Sequence, residues 1–425
     1  MKRVCVIGID CMSPMVVFGP MRRELPSLDR LLNECDHGTL ESSFPPTTIP
    51  AWMSMFTGQT PGELGVYGFK HRNGHAMTEP IELVSRLDYQ AKPIWEWASR
   101  QSLESVVVGV PSTWPVASLR GAMLSDFTTP PKQRFVYPEH HQDALPSDWQ
   151  WDLMNWRKEE PHNTLDELIK LSERYWTMFQ YLLDAHPNWA LGILVDIGMD
   201  RAHHLFWEPG IDEGQPPKQG GPLWQFYKFI DEQLGRFLKA LKPNTHILIV
   251  SDHGAQAMEG TFALNQWLLK NELLKPKTAK VGIVNSADVD WKESTWWAEG
   301  GYVGKLHLSP FAAQEPISAI QHLERLIAAE DFPNEVKLHL PEQLYPKVRG
   351  CPPTAFVEVD NLKVRCIGSL SETQSIWPRD NDLGADAANH HPNGLYIRSW
   401  NQSGAERPAK LQDVYEWIKT TLAER

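Results

Sequence analysis

Aspartate and histidine side chains recur in this sequence at spacings that suit metal binding. Asp200 and His204 are four residues apart, so they share one face of the chain if that segment is helical. Asp252 and His253 are adjacent. The complete set of candidate ligands is Asp10, Asp200, His204, Asp252, His253 and His390. These carboxylates and imidazoles would serve two sites, and they suit Zn²⁺ as well as Mn²⁺ or Fe²⁺.

A pair of threonines precedes a proline in the segment Phe44-Pro-Pro-Thr-Thr-Ile-Pro50. Proline is favoured in the first turn of a helix, so Thr48 should stand at or near a helix N-terminus. A hydroxyl there can cap the helix. It can also act as a nucleophile whose developing negative charge is stabilised by the helix dipole and a metal. In an arbitrary sequence, the plain cap would be the expected role.

The candidate ligands follow segments that have the pattern of buried strands. The apolar runs of strand length are Val4–Ile9, Ser105–Val110, Trp189–Val195, His246–Val250 and Leu395–Arg398. The helical patterns between them are Leu25–Asn33, Pro93–Arg100, Thr164–Ala185, Leu223–Leu241 and Lys410–Leu422. This alternation predicts an α/β fold, with a mostly parallel central sheet and helices on both faces. Ligands of such sheets bind beyond the carboxyl ends of the strands, where Asp10, Asp200 and Asp252 should therefore meet.

Two regions depart from this alternation. Residues 111–162 are rich in proline and aromatic residues, and residues 272–385 mix strand and helix signals with proline-rich joints. We predict one catalytic domain over residues 1–425, in which both regions are insertions that form the wall or cap of a cleft.

The composition narrows the class of protein. Lysine and arginine number 41 against 53 aspartates and glutamates, a formal net charge of −12 without a basic run, which argues against duplex nucleic acid as a partner. Five cysteines without a CxxC pair favour reduced thiols and a cytoplasmic location. The first residues do not have the pattern of a signal peptide, and no apolar stretch is long enough for a transmembrane segment.

Tryptophan is the one unusual component, with 18 residues. Ordinary core packing explains them, and an aromatic-lined cleft for a bulky or apolar substrate group is the alternative. No feature of the sequence sets the oligomeric state.

Taken together, the motifs resemble those of the alkaline phosphatase superfamily and, within it, the type I phosphodiesterase/nucleotide pyrophosphatase family. The matching pieces are Gly8-Ile-Asp10, Pro46-Thr-Thr-Ile-Pro50 with Thr57-Gly58, Asp200-Arg-Ala-His-His204, Ser251-Asp-His-Gly254, Glu259-Gly-Thr-Phe-Ala-Leu-Asn265-Gln-Trp-Leu-Leu269 and His390-His-Pro-Asn-Gly394. The resemblance runs from the first strand to the last. It implies an alkaline-phosphatase-like three-layer sandwich with inserted cap segments.

The resemblance also implies a role for each candidate. One metal would be held by Asp200, His204 and His390. The other would be held by Asp10, Asp252 and His253. Thr48, the threonine two residues before Pro50, would be the nucleophile and would bridge or cap the second metal. The two divalent ions would be Zn²⁺, with Mn²⁺ as the alternative. Asp196 and His203 fit the pattern less well, and we interpret them as structural.

The implied reaction is metal-dependent hydrolysis of a phosphodiester or pyrophosphate through a covalent phospho-threonine. Two metals would neutralise the phosphoryl charge, lower the pKa of the Thr48 hydroxyl and activate the water that hydrolyses the adduct. The substrate would be a small phosphoester or pyrophosphate, and the tryptophans allow an aromatic or apolar leaving group. A phosphomonoesterase on the same two-metal site and a non-catalytic scaffold that keeps the fold are the alternatives.

The sequence departs from the family at one position near the nucleophile. An asparagine that commonly binds a phosphoryl oxygen is replaced by Ala51. Asn265, Asn389, Lys305 or a backbone N–H are candidates to replace that donor, whose loss can cost about 10²–10³-fold in rate. No arginine adjoins Thr48 in the sequence, which favours diesters or pyrophosphates over monoesters.

Overall fold

A computed structural model describes most of the chain. The described residues are 2–72, 81–130, 133–147, 149–153, 156–158, 161–379, 381–384, 386–400 and 408–424. Parts of both predicted insertions therefore lie outside the described residues, namely 131–132, 148, 154–155 and 159–160 in the first, and 380 and 385 in the second.

Strands and helices alternate along the described chain. The strands β1 to β21 are, in order, Arg3–Ile9, Asp36–Glu41, Lys70–Arg72, Ile81–Leu83, Glu104–Val108, Gly121–Leu124, Val136–Tyr137, Trp189–Asp196, Thr245–Val250, Gly254–Ala257, Gly260–Ala263, Gly282–Ile283, Trp296–Glu299, Gly304–Leu308, Val336–His339, Ala355–Val359, Val364–Ile367, Ser369–Leu370, Ala388–His391, Asn393–Arg398 and Ala409–Lys410. The helices α1 to α12 are, in order, Pro14–Val17, Pro26–Glu34, Thr48–Thr57, Pro61–Leu64, Ile94–Arg100, Pro161–Ala185, Gly198–Phe206, Pro222–Ala240, Leu264–Lys270, Pro316–Ala329, Pro341–Leu344 and Leu411–Ala423.

The central sheet has nine strands in the order β21-β2-β20-β9-β1-β8-β5-β6-β7. Strand β1 lies in the middle and pairs in parallel with both β8 and β9. Strand β20 runs antiparallel to its neighbours β9 and β2, and β7 runs antiparallel to β6. The predicted α/β class and mostly parallel sheet are confirmed.

Alternate residues of β1 enter two different cores, because successive side chains of a strand point to opposite faces. Cys5, Ile7 and Ile9 pack with buried residues of α2, α6, α7 and α8. Val4 and Val6 pack on the other face with buried residues of α3, α5 and α12. The sheet therefore lies between two helical layers, as the three-layer prediction requires.

The predicted strands are present with small shifts at their ends. The run predicted as Ser105–Val110 forms β5 over Glu104–Val108, because the chain turns at Gly109 with a φ of +70°. A side chain is excluded at Gly109, since a Cβ there would lie 2.5 Å from the carbonyl oxygen of Val195. This turn keeps the loop after β5 close to the end of β8.

The two predicted insertions differ in structure. In residues 111–162, β6 and β7 extend the edge of the central sheet. Residues 272–385 contain a separate antiparallel sheet in the order β13-β14-β16-β15. It has its own core, in which Trp296 and Trp297 are 0% and 2% exposed.

Two further expectations concern the tryptophans and the cysteines. Six tryptophans are fully buried, which favours core packing for these residues: Trp52, Trp95, Trp189, Trp267, Trp296 and Trp297. No disulfide bond joins any of the five cysteines, all of which are among the described residues. Among the described helices, none combines the length and apolar character needed to cross a membrane.

Candidate metal centre

The ends of three neighbouring strands position the predicted carboxylates. Asp10 directly follows β1, and Asp252 and His253 follow β9. Strand β8 leads into α7, which carries Asp200 and His204 one turn apart. Because β8, β1 and β9 are adjacent and parallel, their carboxyl ends meet at one edge of the sheet.

His390 reaches the same edge by a different route. It lies in β19, which pairs antiparallel with β10 so that His390 stands opposite Ala255. Strand β10 begins at Gly254, immediately after His253. This long-range antiparallel pairing therefore brings a residue from near the end of the chain beside the end of β9.

The predicted ligands form two groups of three. Asp200, His204 and His390 make up the first group, which we call the His-rich group. Asp10, Asp252 and His253 make up the second, which we call the Asp-rich group. Within each group the potential ligand atoms lie within 4.8 Å of one another, and all six residues are at most 1% exposed. The structure thus brings together all six predicted aspartate and histidine ligands, and Thr48 lies at the start of a further helix, α3.

Within each group, the carboxylate oxygens and imidazole nitrogens lie close together and face a common centre. In the His-rich group, Oδ1 of Asp200 lies 3.2 Å from Nε2 of His390 and 3.4 Å from Nε2 of His204. In the Asp-rich group, Nε2 of His253 lies 3.2 Å from Oδ2 of Asp252 and 3.6 Å from Oδ1 of Asp10. The rings of His253 and His390 stack with centroids 3.8 Å apart, so the two groups are in contact.

Each histidine uses Nδ1 for a protein acceptor. Nδ1 of His204 lies 2.6 Å from Oδ1 of Asp386, and Nδ1 of His390 lies 2.6 Å from the carbonyl oxygen of Pro46. Nδ1 of His253 lies 3.2 Å from the carbonyl oxygen of Gly254. A proton on Nδ1 leaves the lone pair on Nε2, and in all three histidines Nε2 faces the carboxylates. Metal-binding histidines are commonly oriented in this way.

Several buried polar atoms of the two groups have no hydrogen-bond partner in the described part of the chain. They are Oδ1 of Asp10, Oδ1 of Asp200, Oδ2 of Asp252 and Nε2 of His253. Leaving such atoms unpaired in a protein interior is costly, particularly for carboxylates. The unpaired atoms point into the two groups, so these residues fit a pair of divalent cations in donor type and in position.

The pKa values of the three aspartates show that the two groups differ in their balance of charge. Burial, followed by the neighbouring Asp200, raises the pKa of Asp10 well above its usual value, and burial together with Asp10 does the same for Asp252. Burial also acts to raise the pKa of Asp200, but His204, His390 and Arg201 outweigh it and hold that pKa well below its usual range. The Asp-rich group therefore lacks the positive charge that would keep its carboxylates ionised.

Thr48 is the first residue of α3, which begins between two contacts with the ligand groups. Ahead of it, the carbonyl oxygen of Pro46 accepts the hydrogen bond from His390. Four residues after it, Nε1 of Trp52 donates to Oδ2 of Asp10 at 2.8 Å. Residues four apart lie on the same side of a helix, so the face of α3 that carries Thr48 is turned towards Asp10. Thr48 is 3% exposed, and Thr47, the N-cap, makes no capping hydrogen bond with its side chain.

Other polar residues that the sequence singled out have structural contacts. Asp196 accepts hydrogen bonds from Ser172, Trp176 and the amide of Gly198, and Nε2 of His203 lies 2.9 Å from the hydroxyl of Tyr227. These contacts agree with the structural roles expected for both residues.

The two asparagines proposed to replace the donor missing at Ala51 are unsuited to that role. Both hydrogens of the Asn265 amide are taken by the carbonyl oxygens of Ala298 and Gly368. Asn389 donates to the carbonyl oxygen of Leu362 and accepts from the amide of His390. Both side chains brace the backbone, so this expectation is wrong for them. Lys305 remains a candidate, because it lines the adjoining cleft.

A cleft of about 760 Å³ adjoins α3 and is lined by Thr47 and by residues of both predicted insertions. Its aromatic lining includes Trp156, Trp297 and Tyr302. Its cationic lining residues are Lys70, Arg157, Arg201, Lys305 and Arg365. None of these cations adjoins Thr48 in the sequence. The absence of a neighbouring arginine in the sequence is therefore a weak argument against monoesters, since folding supplies cations from distant segments.

Sequence reasoning missed several residues of the site. The hydroxyl of Tyr302 lies 2.9 Å from Nε2 of His204, and its ring stacks on His390 with centroids 3.6 Å apart. Asp386 orients His204. The sulfur of Cys11 lies within 4.8 Å of ligand atoms of Asp200 and His253. Only Cys11 had a signal, its position next to Asp10; Tyr302 and Asp386 lie in a region without regular periodicity.

The three-layer α/β fold is that of alkaline-phosphatase-like enzymes. The model of one family, "Type I phosphodiesterase / nucleotide pyrophosphatase", matches residues 4–336, and the chain belongs to this family. The resemblance to the alkaline phosphatase superfamily and to this family, which the motifs indicated, is confirmed. Family and fold support a phosphoester hydrolase. A search of curated protein sequences finds no significant match.

Solved structures share the fold at low sequence identity. Phosphonoacetate hydrolase from Sinorhizobium meliloti 1021, in complex with phosphonoformate, has a TM-score of 0.67 and 13% identity, with 99% of this chain and 96% of that chain covered. Human ectonucleotide pyrophosphatase/phosphodiesterase 5 has a TM-score of 0.58 and 14% identity, with 99% and 94% covered. An inactive variant of the murine protein, in complex with AMP, has a TM-score of 0.56 and 12% identity, with 99% and 95% covered.

Proposed function

We propose that the protein hydrolyses a small phosphodiester or pyrophosphate, using two divalent metal ions and Thr48 as the nucleophile. The observation that carries this proposal is the position of α3. The chain just before α3 contacts the His-rich group through Pro46, α3 itself contacts the Asp-rich group through Trp52, and Thr48 lies between these two residues. Zn²⁺ is the proposed metal and Mn²⁺ the alternative, in keeping with the mixed carboxylate and imidazole donors.

Each residue contributes a defined part of the reaction. Two bound ions would neutralise the negative charge of the phosphoryl group and lower the pKa of the Thr48 hydroxyl. The hydroxyl oxygen of Thr48 then attacks phosphorus, and the bond from phosphorus to the leaving-group oxygen breaks. Water next attacks the phospho-threonine, which returns the hydroxyl and releases the second product. Trp52 holds Asp10 in place throughout, and Pro46 and Asp386 keep Nε2 of two histidines directed inward.

The cleft supports a substrate of limited size. It is lined by residues of the cap region 272–385, including Glu299, Tyr302 and Lys305, and by Asp152 and Trp156 from the other predicted insertion. We propose that these segments and the central sheet form one catalytic unit, with the substrate held between them. A cytoplasmic location stays a prediction from the cysteine content.

A phosphomonoesterase is the second candidate, and the cations of the cleft favour it. Monoesters carry one more charge than diesters at the reacting phosphate, and Lys305 and Arg365 could balance it. The non-catalytic scaffold has less support. A scaffold without metal would have to keep Asp10, Asp252 and Asp200 buried, each with one oxygen that has no hydrogen-bond partner among the described residues, at an energetic cost.

The test is a comparison of bis-p-nitrophenyl phosphate with p-nitrophenyl phosphate as substrates. Metal-free protein would be assayed with added Zn²⁺, with Mn²⁺ and with EDTA. The proposal predicts a higher kcat/KM for the diester that depends on added metal and is abolished by EDTA. A higher kcat/KM for the monoester would select the second candidate. Failure to bind either metal, measured by elemental analysis after dialysis, would select the scaffold.

A further inference from the structure

A buried arginine faces the cleft without sufficient partners. Arg365 lies in β17, is 5% exposed and lines the cleft. Its Nε and Nη1 atoms have no hydrogen-bond partner among the described residues. A guanidinium is always charged and carries five N–H donors, so burying it with donors unused is unfavourable. Such a residue in a cleft is suited to binding an anionic ligand.

The nearest carboxylate does not account for this arginine. Nη1 of Arg365 lies 3.6 Å from Oδ2 of Asp386, which is an ion pair but too long for a hydrogen bond. Asp386 already accepts hydrogen bonds from His204 at 2.6 Å, Arg157 at 3.0 Å and Asn381 at 2.8 Å. The Asp386 carboxylate is therefore shared among one imidazole, one amide and two guanidinium groups. The cleft keeps a surplus of positive charge beside Arg365.

Tyr302 fixes the position of Arg365 relative to the metal centre. The guanidinium carbon of Arg365 lies 4.4 Å from the centroid of the Tyr302 ring. The same ring stacks on His390 of the His-rich group, with centroids 3.6 Å apart. One aromatic ring thus separates the guanidinium from the metal-binding histidine. A group bound by Arg365 would be a close neighbour of a phosphoryl group bound at the metals, not a distant part of a large molecule.

We propose that Arg365 binds a second, non-reacting anionic group of the substrate, either a carboxylate or a further phosphate. This inference rests on the proposed function, because it places the reacting phosphoryl group at the two metals. Lys305 lines the same cleft and offers a second cation, since its Nζ lies 3.5 Å from Glu299 in a loose pair. The substrate class is therefore a compact molecule with two anionic ends, rather than an ester with an apolar leaving group.

Three small phosphonates test this inference by binding alone. Ethylphosphonate has no charge at its far end, phosphonoacetate carries a carboxylate there, and methylenediphosphonate carries a second phosphonate. Calorimetric titration into metal-loaded protein, corrected by titration into metal-containing buffer, would give each Kd. We expect one or both of the doubly anionic probes to bind about 10–100-fold more tightly than ethylphosphonate, as for a charge-assisted hydrogen bond. The tighter of the two identifies the anionic group as carboxylate or phosphate.

Variants of Arg365 assign the preference to this residue. Arg365→Ala should remove most of the difference between the probes and leave ethylphosphonate binding within about threefold. Arg365→Lys should keep part of it, because the charge remains and the planar fork is lost. Arg86→Ala is the matched control, since Arg86 is partly buried, pairs with Glu96 and does not line the cleft. It should change none of the three affinities.

Two results would overturn the inference. Equal affinity of the wild-type protein for all three probes would do so without any variant, and so does not depend on Arg365→Ala folding. An equal loss for all three probes in Arg365→Lys would mean that Arg365 contacts the reacting phosphoryl group instead. Because no step requires turnover, the inference and the proposed function fail separately. Selective binding without ester hydrolysis would remove the proposed function alone, and hydrolysis without selective binding would remove the inference alone.

Discussion

His204 and Asp386 form a hydrogen bond of 2.6 Å between Nδ1 and Oδ1, although 182 residues separate them in the sequence. Burial alone would lower the pKa of His204, but Asp386, Tyr302 and Asp200 outweigh it and raise that pKa to about 10. The contact holds Nε2 of His204 towards Asp200, 3.4 Å away. Asp386 therefore positions a proposed metal ligand through Nδ1 and is not itself a member of the His-rich group.

Replacement of Asp386 should weaken metal binding at the His-rich group. We expect Asp386→Asn to lower the affinity of this site for Zn²⁺ by about 10-fold or more, because partners of this kind orient the imidazole and increase its basicity. Competition with a chromophoric chelator measures the affinity. Asp382→Asn is the control, since Asp382 accepts a hydrogen bond from Ser369 and lies four residues away. Equal losses in both variants would contradict the positioning role.

The two adjacent threonines should differ sharply in their effect on activity. Thr48→Ala should lower kcat by at least about 10³-fold, as loss of a covalent nucleophile does, while both metals stay bound. Thr47→Ala should stay within about fivefold of wild type, because the Thr47 side chain makes no capping hydrogen bond. Steady-state kinetics and elemental analysis of the same preparations check both statements. If Thr48→Ala kept its activity, Thr48 would not be the nucleophile.

Metal removal should destabilise the wild-type protein, whereas one carboxylate variant should stabilise the metal-free form. Each ion present at 100 times its Kd would add about 2.7 kcal/mol to the free energy of unfolding, which EDTA would remove. Asp252→Asn should stabilise the metal-free protein by about 1–2 kcal/mol, because it replaces a buried carboxyl group whose ionisation is opposed by burial and by Asp10, and whose Oδ2 has no hydrogen-bond partner among the described residues.

The same variant should lose most of the stabilisation by Zn²⁺, so the curves of wild type and variant would cross as metal is added. Urea denaturation with and without metal measures all four states. If Asp252→Asn destabilised both forms equally, the carboxylate would have a structural role and the metal proposal would lose its main support.

A histidine pair far from the metal centre predicts the response of stability to acid. Nε2 of His141 lies 3.1 Å from Nε2 of His186, a contact that needs at least one neutral ring. Burial, followed by His140 and His186, lowers the pKa of His141 to about 4. Between pH 6.5 and 4 the unfolded chain therefore binds a proton that the folded protein does not. Stability from this group is complete above pH 6.5 and is lost as the pH falls towards 4.

Between pH 6.5 and 4, the stability of His141→Gln should therefore fall less steeply than that of wild type. The Tm values of the two proteins should differ by a few degrees at pH 6.5, and this difference should narrow as the pH falls. His322→Gln is the control, because His322 is exposed and lies on a different helix, α10. Thermal melts at half-unit steps of pH measure the slopes. Parallel curves for wild type and His141→Gln would show that this pair does not contribute to the acid response.

The sequence predicted the site residues that lie at the ends of strands, and it missed those that reach the site only through tertiary packing. Asp10 follows β1 and Asp252 follows β9, and the apolar pattern of each strand predicts where that strand ends. Asp200 and His204 follow from helical spacing. Tyr302, Arg365 and Asp386 lie in or next to a region with mixed periodicity, and they reach the centre only through the packing of the cap sheet and its loops. No local pattern of residues encodes such contacts.

The asparagines illustrate the opposite error. Asn265 and Asn389 have the right chemistry for a phosphate donor, and the sequence placed them near the motifs. Their amides are used by backbone carbonyl groups that come from other segments. Residue type predicts what a side chain is able to do, whereas its partners in the fold decide whether it is available.

The central position of β1 sets an order of events during synthesis. Val4 pairs with Leu191 on one side and with His246 on the other, so β1 has no sheet partner until roughly 190 residues later. At about 5–20 residues per second, this strand waits on the order of 10–40 s after it is made. Strand β19, which supplies His390, is made later still. A ribosome stalled before residue 388 would therefore hold a chain that has Asp10, Asp252 and His253 but lacks one ligand of the His-rich group, so the two halves of the centre are completed at different times in the life of the chain.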